Sequence, residues 1–144
     1  MASLFKSLIN FLCFILLNLI VMGTNAQNQI KRNELLNAKI GQRTVSEVRI
    51  VEIEFPAGQK APYHKHPCPV LGSIITGTCL IQVEGENPKI LKAGEAFYEP
   101  ANRPILHFDN FSDTEPMKFT AYYLSNGELN LTELLPEKKA DNKN

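Results

Sequence analysis

The chain has 144 residues, with 15 basic and 15 acidic side chains that cancel when histidine is neutral. That length suits one small domain with one core. No basic stripe or arginine cluster is present, which sets nucleic acid aside as a partner.

Lys6 precedes an apolar run from Phe11 to Met22, broken only by Asn18, and Thr24-Asn25-Ala26 follows as a small-x-small end. This predicts a secretory signal peptide over residues 1–26, cleaved after Ala26. The run is shorter than the about 20 apolar residues a spanning helix needs. An uncleaved anchor helix is the alternative. Cleavage would send the rest to the periplasm or outside, with no membrane attachment, and with one more acidic than basic side chain once Lys6 is lost. Export permits a disulfide, and Cys68 and Cys79 remain for it. A hairpin turning at Thr76-Gly77 argues against the pair. Cys79 would lie close to the turn and Cys68 beyond the far end of its strand.

Residues 27–44 are polar, anchored by Leu35, Leu36 and Ile40, and read as an N-terminal arm, either a short helix or an extended segment. From Val45 the period becomes two. Val51, Ile53 and Phe55 alternate with Glu52 and Glu54, a strand with one buried face. Pro56-Ala57-Gly58 ends it. Further strands are predicted at Ala61–His66, Val70–Ile75, Thr78–Val83, Ile90-Leu91, Ala96–Glu99, Ile105–Phe111 and Met117–Leu124, separated by Gly, Pro and Asn turns. Residues 125–144 form a tail, polar and frayed from Glu137. Short, evenly spaced strands without a long helix predict an all-β sandwich or closed barrel over residues 45–124.

The chain has three histidines, His64, His66 and His107. Residues i and i+2 of a strand share a face, so an extended His64-Lys65-His66 sends both imidazoles the same way. Two such rings can converge on one cation at about 2.0–2.1 Å. A third histidine ligand has to come from another strand, and His107 is the one available. The plainer role for His107 is a wall residue satisfied by Asp109 or Asn110. Tyr63, Cys68 and Tyr98 stand near these residues as candidate supporting groups. Cys68 also suits a tight corner between two prolines, and Tyr98 a wall aromatic.

Gly58, five residues, His64-Lys65-His66 and then Gly77 resemble the first cupin motif. Gly94, five residues, Pro100 and then His107 and Asn110 resemble the second. The resemblance spans roughly Val45 to Leu124 and is nearest to short, single-domain exported bacterial cupins. It implies a jelly-roll β-barrel holding a divalent metal (Fe, Zn, Ni, Mn or Cu) in its mouth, and pairing into a homodimer. Two positions depart from the pattern. The motif's glutamate slot is Val70, and its second-motif histidine slot is Ile105, two residues before His107. A two-residue step keeps the strand face, so His107 is expected to point inward.

The function has two readings. One, which the resemblance implies, is a metal-dependent enzyme of dioxygenase type; binding through three neutral imidazoles would favour a small acidic substrate. The other is a non-catalytic cupin that holds a metal or small ligand, its chemistry lost with the glutamate at position 70.

Overall fold

The computed structural model describes residues 29–136, so the expected signal peptide and the polar end from Glu137 lie outside the described residues. Every strand among the described residues belongs to the compact unit that begins at Glu34. Among the described residues nine strands succeed one another: β1 (Glu47–Phe55), β2 (His64–Lys65), β3 (Val70–Thr76), β4 (Thr78–Val83), β5 (Lys89–Lys92), β6 (Ala96–Glu99), β7 (Ile105–Asn110), β8 (Met117–Ser125) and β9 (Glu133–Leu134). No helix occurs among the described residues. The strands form two antiparallel sheets, ordered β1-β8-β3-β6 and β5-β4-β7-β2-β9.

The alternating pattern is spent on the space between these sheets. Val70, Ile74, Phe97, Phe119 and Ala121 face inward from the first sheet, and Ile81, Val83, Ile105 and Phe108 from the second. Phe55, Phe97, Phe108 and Phe119 interlock across the gap, with ring centroids 4.8–6.4 Å apart, mostly edge to face. Gly72 sits in the centre of β3 because a Cβ there would collide with the Thr120 carbonyl and the Phe97 ring.

Two expectations change. The barrel is not closed, because the edge strands of the two sheets do not pair with one another. Sheet twist carries such edges apart at the corners. Second, β3 and β4 do not form a hairpin; they lie in different sheets. Gly77 turns the corner between them at φ +81°, and a Cβ at that position would lie 2.8 Å from the Pro116 carbonyl oxygen. Only glycine tolerates both conditions. Cys68 and Cys79 are free and buried, as the absence of a bridge requires.

The arm over residues 34–44 has no regular secondary structure. It is tied down by Arg43, whose guanidinium meets the Glu128 carboxylate at 2.6 Å. The tail after β8 folds back, and β9 pairs with β2, His64 opposite Leu134 and Lys65 opposite Glu133. That pairing matters for the site, because β2 carries the first histidine.

Candidate metal centre

His64 and His66 lie at one end of the inter-sheet space and are both buried. Their rings stand 4.9 Å apart at 78°. Each is oriented from behind by a main-chain carbonyl. Nδ1 of His64 donates to Pro62 O at 2.7 Å, and Nδ1 of His66 donates to Leu131 O at 2.5 Å. A carbonyl only accepts, so the proton sits on Nδ1 and Nε2 of each neutral ring is left with its lone pair. This is the orientation that metal-ligating histidines ordinarily need.

The third donor is a carboxylate. Glu99 is 4% exposed, and its Oε2 lies 3.2 Å from His66 Nε2. One ligand atom from each of His64, His66 and Glu99 falls within 4.8 Å of the other two. The remaining oxygen of Glu99, Oε1, is buried without a hydrogen-bond partner among the described residues. An unpaired buried carboxylate oxygen is costly, and a cation relieves that cost. Two imidazoles and a carboxylate are the donor set of non-haem Fe(II) sites and of many Zn(II) sites, so the residues fit a divalent transition metal.

In the metal-free protein both nitrogens of His66 face acceptors. Burial pushes the His66 pKa down, but the Glu99 hydrogen bond and charge, with help from the Leu131 carbonyl, outweigh it and hold the pKa above 6.5. When His66 is protonated, its Nε2 proton lies toward Glu99 Oε2, 3.2 Å away, in the place that suits a metal ion.

The structure does not bring His107 to the pair. Its Nδ1 donates to Asp109 Oδ2 at 2.8 Å, its side chain is 43% exposed, and it is not among the residues lining the cavity. The cause is a β-bulge. Gln82 of β4 pairs with His107, but the next residue, Val83, pairs with Ile105, leaving Leu106 without a partner. One extra residue cancels the two-residue rule and turns the strand over locally. Ile105 stays inward, opposite His64, and His107 faces the other way.

Val70 is buried against the cavity, where the motif would place a glutamate. Its partner on β6 is Glu99. The carboxylate missing from β3 is thus supplied by the residue directly opposite it on the neighbouring strand. Tyr98 precedes Glu99 on β6 and pairs with Leu71, so it takes the opposite face. Tyr63, Cys68 and Tyr98 do not line the cavity. Tyr123 does, its ring 5.6 Å from that of His66, and so does Thr132. Burial, the charge of Glu99 and that of Cys68 push the Tyr123 pKa up, and a hydrogen bond with Thr132 opposes them, so its hydroxyl stays protonated. Glu99 carried one readable signal, a carboxylate inside the second motif just before Pro100. Tyr123, Leu131 and Thr132 carried none.

A family model described as a cupin domain matches residues 51–123. The chain belongs to the cupin family. No curated protein sequence matches this cupin significantly. Among solved structures, it resembles the DMSP lyase DddQ from Ruegeria pomeroyi DSS-3, with 24% identity and a TM-score of 0.55 over 64% of this chain and 45% of that one. A recombinant oxalate oxidase in complex with glycolate gives 21% identity and a TM-score of 0.51 over 60% and 45%. A cupin-like protein from Thermotoga maritima MSB8 gives 22% and 0.53 over 61% and 64%. The chain spans less than half of the two enzymes, and at these identities the likeness shows the fold alone.

Proposed function

We propose that this cupin binds one divalent transition metal through His64, His66 and Glu99 and uses it on a small molecule held between the sheets. The observation that carries the reading is the convergence of three buried ligand atoms within 4.8 Å, one of the carboxylate oxygens being otherwise unpartnered. When bound, the metal supplies Lewis-acid or oxygen-activating chemistry at its open positions. The chain's own part is orientation. Pro62 O and Leu131 O fix the imidazoles, and Phe55, Phe97, Phe108 and Phe119 line the apolar part of the cavity. A metal-dependent oxidoreductase of dioxygenase type is the enzymatic form of this proposal. A carrier that holds metal or ligand without turnover is the alternative.

Elemental analysis of protein purified without a histidine tag tests the proposal. About one equivalent of metal is expected, lost in His64→Ala and retained in His107→Ala. Failure to take up any of Fe, Zn, Ni, Mn or Cu would overturn it. Turnover that disappears in His64→Ala would decide for the enzyme over the carrier.

Export belongs to the same proposal, supported by the Lys6 and Phe11–Met22 pattern. So does self-association, supported by Ile50 and Tyr122. These lie opposite each other on the outer face of the four-stranded sheet, 60% and 36% exposed. Fractionation of expressing cells and sedimentation velocity measure the two.

A further inference from the structure

The cavity beside the metal centre holds about 160 Å³. Its walls are Ile53, Phe55, Val70, Phe97, Phe108 and Phe119, and its polar groups are His64, His66, Glu99, Tyr123 and Thr132. The polar groups include both imidazoles and the carboxylate of the cluster, and the Tyr123 ring packs on His66. No lysine or arginine among the described residues lines it.

Size and charge both limit what fits. A cavity of about 150 Å³ lined by such side chains takes a molecule the size of benzene. Two neutral imidazoles, one carboxylate and a divalent ion leave a single positive charge. That charge can offset at most one negative group on a ligand. A second anionic group would lie against phenylalanine rings with no cation to meet it, and burying an unpaired charge is prohibitive. The expectation of an acidic substrate depended on three neutral ligands and a full double charge, and Glu99 halves that charge.

Resting on the metal reading above, we infer that the ligand is a small molecule with a neutral, ring-sized apolar body and one oxygen-bearing head group. The head meets the His64–His66–Glu99 end, and the body lies among the phenylalanines. Small polar acids, whose whole surface demands hydration or cationic partners, are discriminated against by the same walls.

Calorimetric titration of the full-length protein with phenol and with glycolate at neutral pH tests this, in zinc-loaded and metal-free forms, with zinc content measured in parallel. Phenol is expected to bind the zinc form at least tenfold more tightly than glycolate. Ile53→Lys, which sets a cation in the wall at a half-buried position of edge strand β1, should narrow or reverse that ratio while zinc content is unchanged. Glycolate binding tighter than phenol in the zinc-loaded wild type would overturn the inference and leave the metal site standing. Absence of phenol binding in both forms would also overturn it. If zinc is never retained and phenol still binds, the metal reading fails and the apolar cavity is upheld.

Discussion

Glu99→Gln is the substitution that separates the observed site from a three-histidine one. Glutamine keeps the shape of the side chain and removes its charge. Groups that merely orient a metal ligand cost about 10–100-fold in affinity when replaced. Glu99 is itself one of the proposed donors and the one anion of the set, so the loss should reach at least about 100-fold, or about 2.7 kcal/mol. Metal-free stability at pH 8 should change by less than about 1.5 kcal/mol, since a neutral His66 beside the glutamine leaves no unpaired buried charge. His107→Ala should leave affinity unchanged, because its ring meets Asp109 and not the cluster. Since Val70 and Glu99 are direct cross-strand partners, with Cβ atoms about 4.5–5.5 Å apart in such pairs, Val70→Glu added to Glu99→Gln should recover much of the loss. Competition against a chromophoric chelator, with folding checked by circular dichroism, measures all four proteins. Glu99→Gln binding metal as wild type does, together with loss in His107→Ala, would refute the reasoning.

Metal affinity should fall with acidification from a higher pH than for an unperturbed imidazole, because the His66 pKa lies above 6.5 and its proton competes for the same nitrogen. In the metal-free protein the sign reverses for stability. The His66–Glu99 pair contributes fully below pH 6.5 and its contribution is lost as pH rises through the raised value; denaturant titrations from about pH 5 to about pH 8, the range over which an imidazole changes charge, would show it. Truncation after Asn130 removes the Leu131 carbonyl and the β9 strand, and should lower metal affinity by about 10–100-fold with β-structure retained. A chelator competition on the truncated chain checks this. Cys79 is buried, and desolvation together with the charges of Glu99 and Asp109 pushes its pKa to about 12. Alkylation at pH 8 should therefore spare it in the folded protein and proceed only at the rate of unfolding, which mass spectrometry would follow.

Features that a local stretch of chain controls are legible in the sequence. Alternation marks the inward faces of β1, β3, β4 and β8, and glycine and proline mark the corners, because both effects act over a few residues. The pairing of His64 with His66 belongs to this class, since two rings two residues apart on extended chain meet without help from elsewhere. The assignment of the third donor does not. It depended on a bulge at Leu106 that arises from the fit of β7 against β4, and on the register that sets Glu99 opposite Val70. The clamp on His66 comes from Leu131, 65 residues away in the chain. Periodicity predicts which face a side chain takes only while the ladder is regular. Register, bulges and returning tails are fixed by packing between distant segments, and tertiary structure alone decided which acid stands beside the two imidazoles.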